Sequence, residues 1–252
     1  MSTLIEKIQN AKELDFGDIF NKSIELFKKV WLQGLVMLLI TIAFMIPFYL
    51  IMYLPLLAMG IINPESLQQG GELKWNLLIP FYIVMLVFSF LIMIVTFGLK
   101  SAFYRICKMK DLNESGTDDY LYFFKKPYLK KTIKLAAMAF GISLLAVLLC
   151  VFPIIYVMVP VTLINVVYAF NPDLSASNIV NASFKLGNKK WLITFGLIIV
   201  AGILAQFVGM IMCFVGVMVT AAFAYLPVYF IYKDSIGFNE SNVIDEIGTT
   251  QE

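Results

Sequence analysis

The chain has 252 residues, of which 60% are apolar, 15% aromatic and 14% charged, whereas an average soluble domain is roughly half apolar and a quarter charged. A net charge of +2 gives no reason to expect nucleic acid or an acidic partner. There is no histidine, which excludes histidine metal sites, histidine-based triads and imidazole proton relays, and no cofactor or metal is expected.

In chain order, residues 1–29 are polar and carry Lys7, Lys12, Lys22, Lys28 and Lys29 among five acids. No short apolar core with a small-residue cleavage site precedes the first span, so no cleavable leader is expected. At 100° per residue Phe16, Ile19, Phe20, Ser23, Leu26, Phe27, Val30 and Trp31 share one side of a helix, and Asp18, Asn21, Lys22, Glu25, Lys28 and Lys29 the other. Asp15 is placed to cap its start. Residues 1–29 are therefore expected as a cytoplasmic amphipathic helix lying in the headgroup plane.

Four uncharged stretches follow, Val30–Ile62, Trp75–Leu99, Leu135–Phe170 and Trp191–Tyr232, of 33, 25, 36 and 42 residues. A spanning helix needs about 20 apolar residues. The first stretch is read as one span broken at Pro47 and Pro55, the second as one span, and the third as two short spans broken near Pro153. The fourth is a hairpin that turns between Gly209 and Gly216. The expected spans are 31–55, 75–99, 135–152, 153–170, 191–210 and 214–232, within a single membrane domain of residues 30–234 that ends in a flexible cytoplasmic tail, 235–252.

Charge placement tests that count, because short loops rich in Lys and Arg stay cytoplasmic. With six spans, eighteen of the nineteen cations fall on one side and only Lys74 on the other. The expectation is a multi-pass protein of the bacterial inner membrane with both termini cytoplasmic. Trp31, Trp75 and Trp191, the only tryptophans, each open a span, and with Lys28, Lys29, Lys189 and Lys190 they are the expected membrane-interface anchors.

Residues 19–32 and 179–192 agree at seven of fourteen positions: Ile19/Ile179, Asn21/Asn181, Ser23/Ser183, Leu26/Leu186, Lys29/Lys189, Trp31/Trp191 and Leu32/Leu192. Composition alone would give about one agreement. Tyr120–Lys134 leads into the third stretch in the same way without the identities. The fold expected is all-α, with six transmembrane helices in three parallel hairpin units, each preceded by a cytoplasmic-surface amphipathic helix.

The uncharged stretches offer only mildly polar groups. Thr162, Asn165 and Gln206 are the candidates for a polar cavity, near the helix breaks that Pro153 and Pro160 could make, with interhelical hydrogen bonding as the plainer role. Asp111, Glu114, Asp118 and Asp119 precede a run of lysines without the spacing of a calcium loop, and read as a solvated loop. Cys107, Cys150 and Cys213 read as small hydrophobes.

The stretch Asn171–Trp191, with the G-V-M-V-T of Gly216–Thr220 and the P-V-Y-F-I-Y-K-D of Pro227–Asp234, resembles a family of bacterial multi-pass membrane proteins of unknown function. It is also similar to the membrane domain of some glycerophosphodiester phosphodiesterases. That reaction belongs to a separate soluble domain with catalytic histidines, so the resemblance implies no active-site residue here. The expected function is that of a non-enzymatic scaffold or accessory subunit interacting with membrane lipids, through anionic headgroups at the cytoplasmic face, or with other membrane proteins. The alternative is an uncoupled permease or exporter of an apolar or lipid-like substrate.

Overall fold

The computed structural model describes residues 2–58, 75–149, 151–212 and 215–238. Helix α1 covers Ser2–Gln9 and buries Leu4 and Ile8. The chain then leaves helical geometry until Phe16, where the Asp15 carboxylate accepts the Asp18 N–H at 2.7 Å and satisfies one of the free donors of a new helix. Residues 1–29 are thus two helical pieces rather than one.

Helix α2 runs without interruption from Phe16 to Ala58, 43 residues. At 1.5 Å per residue it is about 64 Å long, roughly twice a hydrocarbon core. The amphipathic segment expected in the headgroup plane therefore continues directly into the span. Packing explains this: Ile19, Ser23, Leu26 and Val30 form a buried stripe, and Phe20 and Phe27 meet the edge of Phe223 at 5.9 and 5.6 Å. The breaks expected at Pro47 and Pro55 do not occur, because a membrane helix can re-satisfy the one carbonyl that each proline leaves free.

Helix α3, Trp75–Asp111, returns antiparallel to α2. A Cβ on Gly34 would meet Ala222 and Phe103, and Phe48 lies 5.5 Å from Phe88 further along the pair. After a charged loop and a 3-10 turn at Tyr122–Phe124 come α4, Lys126–Leu148, with Pro127 in its first turn, and α5, Val151–Phe170. The break expected near Pro153 in the third apolar stretch falls between Leu148 and Val151. Pro153 is the third residue of α5, where its missing N–H would have had no helical partner anyway.

Helix α6, Ala176–Lys189, starts at Ser175, whose hydroxyl accepts the Asn178 N–H at 3.3 Å. It buries Ala176, Ile179, Ala182, Ser183, Leu186 and Gly187, and packs against α5 with Gly187 over Pro160. A break at Lys190 separates it from α7, Trp191–Ile211. The second copy of the repeated segment thus parts from its span where the first does not.

The last crossing consists of α8, Val215–Thr220, a 3-10 stretch, Ala221–Tyr225, and α9, Leu226–Ile236. The tightening has a cause in Pro227. With no N–H of its own, it cannot bond the Phe223 carbonyl, which accepts the Leu226 N–H instead. Among the described residues six helical stretches are long and apolar enough to cross a membrane: 16–51, 82–111, 126–148, 152–170, 191–211 and 215–236. They pair in chain order as three antiparallel hairpins, so the fold is all-α and polytopic.

Burial is uneven along these helices. Most of the core comes from 97–107 of α3, 159–169 of α5 and 226–236 of α9, all at the lysine-rich end. There Tyr168 packs on Phe123 at 4.5 Å and shares a hydrogen bond with Thr132 at 2.9 Å. Thr132 also donates to the Phe123 carbonyl at 2.9 Å, so the buried hydroxyls are satisfied. Toward the opposite end the helices present large apolar side chains outward, including Val84, Leu148, Phe152, Phe207 and Met210. That is the distribution expected of a surface solvated by lipid.

A charged cleft at the lysine-rich end

The three residues proposed for a polar cavity do not converge. The Thr162 hydroxyl returns to the Met158 carbonyl of its own helix at 2.7 Å. Asn165 is buried, and its side-chain oxygen accepts from Ser101 at 3.4 Å, which ties α5 to α3. Gln206 is exposed on the outer face of α7, beside Ile199, Gly202, Ile203 and Phe207. Pro160 supports α6.

The expected interface anchors also divide. Trp191 opens α7, stacks on Phe195 at 4.8 Å and donates to the Tyr156 carbonyl at 3.1 Å. Trp31 is partly exposed within α2. Helix α3 begins at Trp75, whose side chain lies outside the described residues, as do Cys150 and Cys213. Lys28 pairs with Glu25 at 2.6 Å in solvent, and Lys29 is exposed. Lys189 and Lys190 are instead engaged by the protein. Lys189 Nζ donates to the Ile8 carbonyl at 3.0 Å and to the Gln9 carbonyl, and Lys190 Nζ to the Lys12 carbonyl. They thereby satisfy carbonyls at and beyond the end of α1. Burial and the neighbouring Lys189 charge pull the Lys190 ammonium below the ordinary lysine range, against the opposing pull of Glu13.

Both copies of the repeat place their shared residues alike. Ile19 and Ile179, Ser23 and Ser183, and Leu26 and Leu186 are buried. Each serine hydroxyl returns to the isoleucine carbonyl four residues back, at 2.7 and 2.8 Å. Asn21 and Asn181 are exposed. The identities at the buried positions thus lie on one helix face.

The carboxylates of the charged loop are distributed over lysines. Glu114 pairs with Lys108 at 3.3 Å, Asp118 with Lys110 at 3.1 Å, and Asp119 with Lys125 at 2.5 Å. Asp111, at the end of α3, accepts the Tyr229 hydroxyl at 2.7 Å and pairs with Lys233 at 2.6 Å. Tyr120 donates to the Gln33 carbonyl at 3.3 Å, and burial, with Asp118 nearby, pushes its hydroxyl up to about 12.

These elements enclose a cleft of about 620 Å³ at the lysine-rich end, between the end of α3, the 3-10 turn, the start of α4 and the α5–α6 connection. Arg105, Lys108, Tyr122, Tyr128 and Asp173 are among its walls. Arg105 also lines a second cleft of about 240 Å³ with Thr117, Asp119 and Lys125. Its guanidinium sits 3.5 Å from the centroid of Tyr122, a ring fixed in turn by the 2.8 Å hydrogen bond from Tyr122 to Tyr128. Arg105 is the only arginine in the chain. In the sequence it is one of nine cations between residues 100 and 134, distinguished only by being the sole arginine.

Comparison of the chain with models of protein families, with curated proteins and with solved structures returns no match in any of the three.

Proposed function

We propose that this chain is a non-enzymatic protein of the bacterial inner membrane, a scaffold or accessory subunit for lipids and other membrane proteins, with its termini and lysine-rich end in the cytoplasm. The observation that carries the reading is the packing of α5. Val159, Leu163, Ile164, Val166, Val167, Tyr168 and Ala169 are all buried, so this helix is enclosed on every side over its second half. A helix apolar and buried all round belongs to the interior of a protein, and the close packing around α5 at the lysine-rich end supports a scaffold over a permease. The resemblance to membrane domains that accompany a separate catalytic domain points the same way, as do spans whose apolar surfaces are turned outward.

Purification of the full chain from its native membrane in mild detergent should recover a second membrane protein in fixed ratio. A chain that purifies alone and moves a solute across liposomes would instead establish the permease. Orientation has its own test: with the native cysteines replaced, a cysteine at Ser115 or Ser177 should react with an impermeant reagent only from the cytoplasmic side, and one at Gln69 only from the outside. The reverse pattern would overturn the topology.

A further inference from the structure

We propose that the 620 Å³ cleft is a binding site for a phosphate-bearing anion, held by the Arg105 guanidinium with Lys108 beside it. Charge accounting across the cleft isolates Arg105. Lys108 faces Glu114 at 3.3 Å within this cleft, and Lys125 faces Asp119 at 2.5 Å in the second cleft that Arg105 lines. Among the described residues Arg105 enters no ion pair and donates no hydrogen bond; its close contact is the Tyr122 ring at 3.5 Å. A guanidinium has five in-plane donors that match phosphate or carboxylate oxygens in a fork. Ring contact covers a face of that plane and orients it while leaving the donor edge open. A partly buried guanidinium with unmatched donors, held against a ring in a concave site, is prepared for an oxyanion.

Phosphate fits better than a simple carboxylate. The cleft has room for more than one small group, and Lys108 stands one helical turn from Arg105, so once an anion takes the place of Glu114 at Lys108 two cations can reach two oxygens of the same group. Phe238 and Met109 in the wall add apolar surface suited to whatever carries the phosphate. Lys108 itself lies 5.1 Å from the Phe238 ring. Asp173, exposed in the same wall, opposes an anion weakly because water screens it. The phosphate can belong to a lipid headgroup entering from the membrane surface or to a soluble phosphate ester. This deepens the lipid-binding part of the proposed function, and because its readout is a ligand rather than a partner protein, either proposal can fail without the other.

The test uses the full chain. One arm measures binding of glycerol 3-phosphate to the protein in phosphatidylcholine nanodiscs by calorimetry; the other counts retained phosphatidylglycerol against phosphatidylcholine by native mass spectrometry. A soluble ester gives a signal in the first arm, a lipid headgroup in the second. In the arm that binds, Arg105→Gln should weaken binding at least tenfold, Arg105→Lys by less, and Asp173→Asn should strengthen it two- to threefold. Should Arg105→Gln lose its helical circular dichroism, the other two variants carry the test. No binding in either arm, Arg105→Gln within twofold of the parent, or Asp173→Asn weaker than the parent overturns the proposal.

Discussion

The α7–α8 hairpin closes on a glycine, and a single added methyl should open it. A Cβ at Gly209 would lie 2.6 Å from Val217 Cα, 2.7 Å from Val217 N and 2.8 Å from Thr220 Oγ1. Carbon atoms in contact sit about 3.5–4.0 Å apart, and two of the three obstacles are backbone, which cannot rotate aside. Gly209→Ala must therefore push the helices apart by about 1 Å. The single proton of the Thr220 hydroxyl is shared between the Ala205 carbonyl at 2.7 Å and the Gly216 carbonyl at 2.9 Å, and the contact to Ala205 would be stretched past bonding distance. Overpacking costs about 1–3 kcal/mol and the lost bond about 0.5–1.5 kcal/mol. Alanine in place of glycine returns up to about 1 kcal/mol of helix propensity. The net is a loss of about 2 kcal/mol, roughly a thirtyfold shift of the unfolding equilibrium. Gly202, on the same helix, is the control: nothing lies within 4 Å of its Cβ position, so Gly202→Ala should be neutral or stabilising. Both variants can be followed by steric trapping in bilayers or by unfolding in mixed micelles. Equal stability of the two variants would refute the argument from contact geometry.

Other perturbations follow from the hydrogen bonds and ion pairs. Asp111→Ala leaves Lys233 and the Tyr229 hydroxyl without their acceptor in a partly buried site and should cost about 2–3 kcal/mol in the same unfolding assay; a loss below about 0.5 kcal/mol would mean that water replaces the carboxylate. Ser23→Ala and Ser183→Ala remove only bonds within a helix and should each change stability by less than about 1 kcal/mol. Ser23→Leu and Ser183→Leu should both destabilise by about 1–3 kcal/mol, and a large effect in one copy alone would count against equivalent packing of the repeat. The Tyr120 hydroxyl, raised to about 12 in the fold, keeps its proton above pH 10 while the unfolded chain loses it. The unfolded state then binds fewer protons, so Tyr120 makes stability fall between pH 10 and about 12. Melting at pH 9.5 and 11.5 should show a smaller drop for Tyr120→Phe than for the parent.

The spans were legible because lipid demands long uncharged runs, and the hairpins because lysines collect at one end. The Asp15 cap was legible because capping is local chemistry, and the structure forms it with Asp18. The breaks were harder. Proline marks a helix boundary in water, but α2 passes through Pro47 and Pro55, and α5 uses Pro153 in its first turn. Which way Asn165 and Gln206 face could not be read, because a helix apolar on every side has no period to show its inward face. The cleft was invisible for a different reason: Arg105, Tyr122, Tyr128 and Asp173 meet only after the end of α3, the charged loop and the α5–α6 connection have come together.

The lysines that hold the end of α1 also set an order of assembly. Lys189 bonds the Ile8 carbonyl across 181 residues, and Lys22 bonds Asp234 across 212. At 5–20 residues per second, roughly 10–35 s separate synthesis of Ile8 from that of Lys189. Through that interval the N-terminal helix waits undocked, while the first two hairpins are made. Its docking is a late checkpoint of biogenesis, passed only once the third hairpin begins to emerge, and the Lys22 contact closes when that hairpin is complete. A chain truncated before Lys189 should therefore insert four spans and leave its first helix open to proteases.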